Sequence, residues 1–390
     1  MENNTSLEPG IDFELTEEMR MLKQTVRAFA ETEIKPFVMK YDEAQEFPMD
    51  IIKKMGELGF LGATISPELG GAGLSPVEFV IIMEEISRVD PSVGLILAAH
   101  SGLCLHHIAT FGNEQQKKRY VPDLATGAKI GSWCLTEPGS GSDSSGLKST
   151  ARLEGDFYVL NGTKSFITNG TVASTYVVMA KTDPSKGNKG ISAFIVEREM
   201  KGFSAGKKEN KLGMRASDTA VMIFEDVKVP KSNLIGNEGG GFKQALEVLD
   251  SGRAGIAALS VGLGQGALDA ALKYAKERQA FGKPIVDFQG IQFKLADMAA
   301  EIQAGRLLMY RAAMAEAKGQ DLNMLGAYAK LYASEAAVRA ATEAVQIHGG
   351  YGYIKDFPVE KFYRDAKLLT IGEGTTEVQK IVIAKNLLRT

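Results

Sequence analysis

The sequence predicts an α+β protein in three consecutive parts. These are an all-helical N-terminal domain (1–130), a middle antiparallel β-barrel or sandwich (131–240), and a C-terminal four-helix bundle (241–390). Apolar residues recur at helical spacing in the first part, give way to short β-rich segments at about Lys129, and return to the helical period after Gly239-Gly240-Gly241. A chain of 390 residues is long enough for about two to three domains, each with its own core.

The N-terminal helices have recognisable start signals. The spacing predicts a first helix after Thr16 that ends at Pro36, and a short second helix after Pro48. Ser75-Pro76-Val77-Glu78 is a capping box with proline at the first helical position, and Asp90-Pro91 opens a nearly all-apolar helix. All of the first 130 residues are therefore expected to be helical.

The histidines on or beside this apolar helix, and the two cysteines of the chain, are predicted to be core residues. His100, His106 and His107 lie close together, but no third ligand at metal spacing accompanies them, so buried packing is the preferred interpretation. Cys104 and Cys134 are the only cysteines, too few for a disulfide framework, and are expected to be small buried residues in a reducing compartment.

The middle part is rich in β-branched and aromatic residues. Asn161-Gly162 and Asn169-Gly170 are predicted turns between its strands. The predicted strands include 157–160, 175–179, 191–196 and 221–224.

The C-terminal part is predicted to contain long helices that must cover one another. One spans about 242–279, a second carries apolar residues from 291 to 302, and a third spans about 322–348. Small residues at 257–258 and 262–266 suit either close packing within the chain or contacts between subunits.

Charge and hydropathy exclude several classes of protein. The formal net charge of -3 provides no basic field for nucleic acid. Residues 1–15 are polar and acidic and show no secretory or mitochondrial signal, which favours a cytoplasmic, bacterial-type protein. No uninterrupted apolar run reaches the roughly 18 residues of a membrane span, and the longest candidate, 93–105, is expected to be a buried helix.

Three glycine-rich segments are candidates for a ligand site. The first, 133–146, leaves a strand but does not enter a helix, which excludes a dinucleotide-binding or P-loop motif while leaving an anion cradle or a plain loop open. The second, 346–353, follows a helix end at Gly349. The third, 370–379, holds Glu373 between two glycines, just before a helix that Thr375 or Thr376 caps.

These segments resemble the signatures of a known family. Residues 134–146, 346–365 and 372–379 are similar, in order and spacing, to three signature segments of the acyl-CoA dehydrogenases, and the helix, β, helix layout agrees over the whole chain. The resemblance implies an FAD enzyme that removes a Cα proton and a Cβ hydride from an acyl-CoA thioester. It also implies a homotetramer, reoxidation by an electron-transferring flavoprotein, and a place in fatty acid or amino acid catabolism.

Glu373 matches the family's catalytic base. A Cα proton beside a thioester is weakly acidic, so its removal requires a carboxylate held in a dry site while donors polarise the carbonyl. The resemblance implies that the Gly374 N–H and a flavin ribityl hydroxyl clamp that carbonyl. Some relatives carry the base on the long helix instead, at the position of Gly252. Glu377 is the local competitor, although the helix dipole already explains a first-turn glutamate.

The resemblance also implies cofactor and substrate contacts. Phe166 would cover the flavin ring and Thr168 would hydrogen-bond N5, whereas Arg278 would hold the FAD pyrophosphate, in part from a neighbouring subunit. The full set of FAD candidates is Trp133, Leu135, Thr136, Ser142, Phe166, Ile167, Thr168, Arg278, Phe281, Gln289, Gln346, Gly349, Gly350, Thr375 and Glu377. The acyl-CoA candidates are Ser142, Phe242, Asp250, Arg253 and Gly374.

The acyl group is predicted less sharply than the reaction. Gly94 stands where relatives that oxidise glutaryl-CoA carry an arginine, which disfavours a dicarboxylate. Gly372 replaces the commoner tyrosine before the base and favours short, branched or cyclic acyl groups. Asp90 either caps its helix or touches an unusual substrate. Two alternatives to a dehydrogenase stay open: an acyl-CoA oxidase that uses O₂, and a non-catalytic flavin or acyl-CoA scaffold.

Overall fold

The computed structural model describes residues 14–388 and confirms the predicted three-part layout. Residues 1–13, which include most of the segment assessed for a targeting signal, lie outside that range. Between residues 14 and 130 the regular secondary structure is all helical, as expected, although turns and irregular backbone cover most of 58–75. Its helices are α1 (Glu17–Phe29), α2 (Val38–Ala44), α3 (Met49–Glu57), α4 (Pro76–Val89), α5 (Pro91–Leu97), α6 (His106–Phe111) and α7 (Glu114–Ala125).

The predicted caps begin these helices. The Thr16 side chain accepts from the Met19 N–H at 3.3 Å, and both hydrogen bonds of the Ser75–Glu78 capping box are present. The helical path does not stop at Pro36: a π-helical turn and a 3₁₀ turn carry the chain from α1 into α2. Proline is tolerated there because it opens a new turn, where an N–H has no intrahelical partner.

Two helical runs are long and apolar enough to cross a membrane, which the sequence analysis did not predict. They are Pro91–Phe111, in which a π-helical segment joins α5 to α6, and α8 (Gly241–Glu277). About two thirds or more of each apolar window is buried inside the fold, at 67% and 72%. Both therefore act as core helices, in which apolar residues face protein on most sides.

The middle part contains a sheet of eight strands. They are β1 (Gly131–Cys134), β2 (Thr150–Glu154), β3 (Phe157–Thr168), β4 (Thr175–Lys181), β5 (Ile191–Glu197), β6 (Phe203–Lys208), β7 (Thr219–Pro230) and β8 (Leu234–Ile235), in the order β6-β7-β3-β2-β4-β5-β8 with β1 beside β4. Only the pair Thr150–Lys181 joins β2 to β4, so two halves meet there. Tyr158 and Phe194, with ring centroids 4.9 Å apart, connect the halves face to face as in a sandwich.

Two details of the predicted β domain were wrong. The sheet is not wholly antiparallel, because β1 and β2 each pair with β4 in parallel. Asn161-Gly162 is not a turn but lies inside β3, where the register against β7 shifts and Gly162 has φ +148°. A side chain at Gly162 would lie 2.2 Å from Ser149 Oγ, so the glycine permits a bulge pressed against that residue. The prediction for Asn169-Gly170 was correct, since Asn169 adopts φ +62° in a turn.

Up to residue 388, the C-terminal part contains five α-helices and a short hairpin. The helices are α8, α9 (Gln289–Ala317), α10 (Asn323–His348), α11 (Val359–Leu369) and α12 (Thr376–Leu387), and the hairpin strands are β9 (Gln279–Ala280) and β10 (Lys283–Pro284). Glycines let α4 approach α8 closely: side chains at Gly262 and Gly266 would meet the Glu84 and Arg88 carbonyls at 2.3 and 2.2 Å. The small-residue face thus packs within the chain. We propose domain boundaries at 130/131 and 240/241, beside the starts of β1 and α8.

Candidate active site

Glu373 occupies a strained turn between α11 and α12. Its φ is +50° and that of Gly374 is +87°. A left-handed conformation costs a residue with a side chain about 1–2 kcal/mol, and strain of this kind persists only where surrounding contacts impose it. Thr375 caps α12 by accepting from the Val378 N–H at 3.3 Å, and the Thr376 N–H donates to the Thr370 carbonyl at 3.0 Å. These contacts fix the C-terminal side of the turn, where α12 begins.

The Glu373 carboxyl points into the protein with one oxygen free. Oε2 is buried and has no hydrogen-bond partner among residues 14–388. It faces α8 at Gly252, where a β-carbon would lie only 2.6 Å from Oε2. Burial raises the pKa of Glu373 to about 8, and the positive charges of Lys330 and Arg253 oppose that rise. A carboxylate that ionises near neutral pH with a free lone pair can accept a proton from a bound ligand.

A narrow cavity of about 30 Å³ lies next to this oxygen. Helices α4, α8 and α9 and the π-helical segment form its walls, so the site lies where the N-terminal and C-terminal parts meet. Its lining includes Phe79, Val80, Gly102, Gly252, Glu316 and Glu373.

Glu316 adds a second carboxyl to this cavity, which the sequence analysis missed. It accepts a hydrogen bond from Ser251 Oγ, and burial raises its pKa. No motif marks it, because a glutamate near the end of a long helix is usually a solvated residue.

Three of the five predicted acyl-CoA residues, Phe242, Asp250 and Arg253, lie in the first half of α8. Arg253 is buried and pairs with Asp250, with Nη1 2.6 Å from Oδ1, while its buried Nε has no partner in the described part of the chain. Asn323 at the start of α10 supports the pair from the other side, at 3.3 Å from Asp250 Oδ2. Phe242 is partly buried and directly follows the Gly239–Gly241 run, and Ser142 is exposed in the glycine-rich loop.

The predicted flavin-flanking residues lie on two adjacent segments. The Ser132 hydroxyl donates to the Thr168 carbonyl at 2.6 Å, and the Ser165 N–H donates to the Thr136 carbonyl at 2.9 Å. These bonds hold the end of β1 against the end of β3. Trp133, Leu135 and Ile167 are buried and Thr168 is partly buried, whereas Phe166 is 67% exposed at φ +58°.

A buried ion pair shapes the glycine-rich loop beside them. Lys164 Nζ lies 2.8 Å from Glu137 Oε1, and neither side chain is more than 6% exposed. Glu137 also accepts from the backbone N–H groups of Lys148 and Ser149, at 2.5 and 3.0 Å. One carboxylate thereby ties both ends of the 139–147 loop together, a role that composition alone does not predict.

His100 and His107 of the apolar helix are buried in the core, as predicted, whereas His106 is partly buried and lines the cavity beside Glu373. Trp133 Nε1 donates to His107 Nδ1 at 3.2 Å, which places the His107 proton on Nε2, where it can donate to Gln244 Oε1 at 3.2 Å. His100 Nδ1 accepts from the Gly131 N–H at 2.9 Å. Burial lowers the pKa of both rings to about 4, so both are neutral at physiological pH. The cysteines are also buried, as expected.

Asp90 is structural as well. It caps α5 by accepting from the Ser92 N–H at 2.9 Å and pairs with buried Lys361 at 2.7 Å. Lys361 also pairs with Asp365 at 2.6 Å. The bonds to Ser92 and Lys361 satisfy the Asp90 carboxylate. Of the two interpretations that the sequence left open, helix capping is therefore correct and substrate contact is not supported.

Six further cofactor candidates lie toward the far end of α8. Arg278, Gly349 and Gly350 line an open cavity of about 470 Å³, and the Arg278 guanidinium lies 5.6 Å from the centre of the Tyr351 ring. Gln346 is exposed on the last turn of α10, and Gly349 ends that helix at φ +59°. Phe281 is 95% exposed in the hairpin turn, and Gln289 is exposed at the first residue of α9.

This group is distant from Glu373. Gly252 and Glu277 are separated by 25 residues of continuous helix, or about 38 Å. Thr375 and Glu377, in contrast, adjoin the catalytic turn. The structure therefore brings the cofactor candidates together in separate groups rather than around one point of a single chain.

Lys330 and Gln379 are two further residues at the turn that the sequence analysis missed. Lys330 is fully buried on α10, and its Nζ lies 2.6 Å from the Gly374 carbonyl. Gln379 is also fully buried and donates to the carbonyls of Glu373 and Gly374. A lysine on the alanine-rich, buried face of α10 is a signal that could have identified the first.

The sequence matches the domains of a known protein family along nearly its whole length. The acyl-CoA dehydrogenase N-terminal, middle and C-terminal domain descriptions match residues 16–128, 132–227 and 239–388. The chain belongs to the acyl-CoA dehydrogenase family.

Relatives include the short-chain specific acyl-CoA dehydrogenase of Clostridium acetobutylicum, 49% identical over 97% of this chain and 100% of that protein. The mitochondrial short-chain specific enzyme of Rattus norvegicus is 50% identical over 96% of this chain and 91% of its own.

Solved structures agree over the same length. Butyryl-CoA dehydrogenase from Megasphaera elsdenii has a TM-score of 0.95 at 43% identity, covering 97% of this chain and all of that one. A chain from the structure of the electron transferring flavoprotein of Acidaminococcus fermentans has a TM-score of 0.96 at 48% identity, with 97% and 100% covered. An acyl-CoA dehydrogenase complexed with FAD from Bacillus anthracis has a TM-score of 0.91 at 37% identity, with 96% and 68% covered.

Proposed function

We propose that this acyl-CoA dehydrogenase converts a short-chain acyl-CoA to the 2-enoyl-CoA, with FAD as the oxidant and Glu373 as the base that removes the Cα proton. The observation that carries the base assignment is the buried, unpartnered Oε2 of Glu373, which faces a cavity at the junction of two domains. Glu377 fits the role poorly because it is exposed, and hydrogen bonds from its own N–H and from Thr375 lower its pKa.

The residues of this chain would divide the work as follows. The acyl chain would enter beside this cavity with its Cα near Oε2, and Gly252 leaves the space that the carboxylate occupies. The Gly374 N–H donates to the thioester carbonyl, which stabilises the charge that develops there as the proton leaves. Bound FAD supplies the hydride acceptor. The buried Nε of Arg253, which has no partner among residues 14–388, would be available to the acyl-CoA.

The residues fit FAD on physical grounds. Phe166, exposed at a positive φ beside Thr168, offers an unpaired aromatic face next to hydrogen-bonding groups. The Arg278 cavity offers a cation and two exposed glycine backbones to a pyrophosphate. FAD also occurs with the Bacillus anthracis relative.

The separation of these two groups supports a shared cofactor site. The about 38 Å between Gly252 and the end of α8 is longer than an extended FAD molecule. Arg278, Phe281, Gln289, Gln346, Gly349 and Gly350 would therefore serve the flavin of a neighbouring subunit, in the proposed homotetramer. A gel-filtration mass of one chain with FAD fully retained at Arg278→Ala would contradict this arrangement.

We further propose an electron-transferring flavoprotein as the electron acceptor and a cytoplasmic location. The Acidaminococcus fermentans neighbour supports the first. Rapid peroxide formation in air without an acceptor protein would favour the oxidase alternative instead, and a yellow protein that acyl-CoA does not bleach anaerobically would favour the scaffold.

The proposed acyl group is short, with branched or cyclic groups as further candidates. The Clostridium and rat relatives support the short chain. At Gly372 a β-carbon would have no neighbour closer than 3.6 Å, so the absence of a larger residue leaves open space beside the base. At Gly94 a β-carbon would lie 2.1 Å from Ser87 Oγ, which disfavours a side chain directed at a distal carboxylate. Activity on butyryl-, isobutyryl-, 2-methylbutyryl-, isovaleryl- and cyclohexanecarbonyl-CoA tests this proposal, and turnover of long straight chains alone would contradict it.

The base assignment is tested by Glu373→Gln in the holoenzyme, with Glu377→Gln as its matched control. Glu373→Gln should retain FAD and bind butyryl-CoA, but its flavin should not bleach anaerobically, because the amide cannot accept the proton. Removal of a general base typically costs about 10²–10⁴-fold in rate. Glu377→Gln should bleach at nearly the wild-type rate, and the reverse pattern would move the base to Glu377.

A further inference from the structure

Two fully buried side chains, Lys330 from α10 and Gln379 from α12, contact the catalytic turn at Glu373 and Gly374. We propose that they are positioning residues for the reaction: Lys330 supplies a positive charge that favours the ionised form of Glu373, and Gln379 aims the Gly374 N–H at the thioester carbonyl. This inference rests on the assignment of Glu373 as the base.

The Gln379 contact acts on the peptide bond that bears the clamp. Gln379 Nε2 donates to the Glu373 carbonyl at 3.3 Å and to the Gly374 carbonyl at 3.0 Å. The Glu373 carbonyl and the Gly374 N–H belong to one peptide plane and point in opposite directions in a trans peptide. Fixing that carbonyl therefore directs the N–H away from Gln379. A β-carbon on Gly374 would lie 2.7 Å from Nε2, so the amide is pressed against the turn.

Lys330 holds the next peptide and adds a charge. Its Nζ donates to the Gly374 carbonyl at 2.6 Å, and it takes part in no ion pair within 4.0 Å among residues 14–388. A buried ammonium without a paired carboxylate is costly, which indicates that it serves a charge nearby. Burial lowers the pKa of Lys330 to about 8, and Glu373 is the largest source of the attraction that opposes this fall and favours the charged form.

The other charged and titratable groups around Glu373 do not replace the positive charge of Lys330. Arg253 on α8 also favours the ionised carboxylate, but it is already paired with Asp250. Glu316 on α9 and His106 on α6 line the same cavity. Burial raises the pKa of Glu316 and lowers the pKa of His106, so the neutral form of each is favoured. Within the described range 14–388, Lys330 is thus the cation near Glu373 that has no carboxylate partner of its own.

Three variants of the FAD-loaded enzyme separate charge from hydrogen bonding. Lys330→Met removes both, Lys330→Gln removes the charge but retains a donor for the Gly374 carbonyl, and Gln379→Met removes a neutral donor. Anaerobic flavin reduction by butyryl-CoA is followed against pH. The Glu373 carboxyl is titrated by infrared spectroscopy, its band being the one absent in Glu373→Gln. The carbonyl stretch of bound crotonyl-CoA reports polarisation by the clamp.

Both Lys330 variants should move the midpoint of the reduction profile and of the carboxyl titration upward by about one pH unit. Below the midpoint, the rate of flavin reduction should therefore fall roughly tenfold, and high pH should restore it. Gln379→Met should leave that midpoint unmoved but weaken polarisation of the crotonyl-CoA carbonyl and slow reduction at every pH. A merely structural role would lower thermal stability without either pattern.

Two outcomes would overturn the inference without touching the base assignment. One is an unshifted Glu373 titration in Lys330→Gln, and the other is a wild-type carbonyl stretch in Gln379→Met, each with Glu373→Gln inactive. If Glu373→Gln itself reduces its flavin normally, the base assignment is what fails.

Discussion

Gly252→Ala is a one-methyl test of the site. The new methyl would lie 2.6 Å from Glu373 Oε2, whereas an ordinary contact begins near 3.4 Å. The carboxylate, as the free end of a flexible side chain, must therefore retreat by about 0.8 Å, and a displacement of about 1 Å in a catalytic group can cost on the order of 10²-fold in rate. Alanine also favours a helix interior over glycine by about 1 kcal/mol.

Activity and stability should thus change in opposite directions. We expect kcat/KM for butyryl-CoA to fall about 10²-fold while urea unfolding shows equal or greater stability. Gly255→Ala is the matched control: it adds the same methyl one turn along α8, where the nearest atom is 3.9 Å away on Phe79. Stopped-flow flavin reduction and urea titration of both variants provide the measurements. Wild-type reduction by Gly252→Ala would refute the position assigned to the Glu373 carboxylate.

Two further predictions concern buried charges. Because burial raises the folded-state pKa of Glu373 to about 8 from an ordinary 4.5, the folded state loses stability as pH rises through that window, and Glu373→Gln is spared the loss. The thermal midpoint of Glu373→Gln relative to wild type should therefore increase from about pH 5 to about pH 8, whereas that of Glu377→Gln should not, and equal increases would contradict the assigned burial. Lys361→Met leaves Asp90 and Asp365 buried without their cation, so urea unfolding should show a loss of about 3–5 kcal/mol. Lys380→Met, the same change at an exposed site, should stay within about 0.5 kcal/mol, and a comparably small effect at Lys361 would show that the pair is dispensable.

The sequence predicted the helices of this fold well because their signals are local. The Ser75–Glu78 capping box, the Asp90 cap and the Thr375 cap involve residues three or fewer positions apart. Asn161-Gly162 misled because the same dipeptide that opens a turn also permits a bulge, and contact with Ser149 decides between them.

The site was predicted in part for a related reason. Glu373 and its flanking glycines form a contiguous segment whose chemistry can be recognised. Lys330 and Glu316 reach the same turn and cavity from α10 and α9, 43 and 57 positions away in sequence. Their roles depend on how long helices rotate against each other, which no local pattern records.

The left-handed backbone at Glu373 has a consequence for how the chain can change over generations. Glycine adopts φ +50° without the penalty that a side chain incurs, and it would also remove a carboxyl whose ionisation burial opposes. Loss of the base would therefore make the folded protein more robust, not less. A gene copy released from selection for activity could drift to a durable, inert protein, so purifying selection on turnover alone must preserve this glutamate.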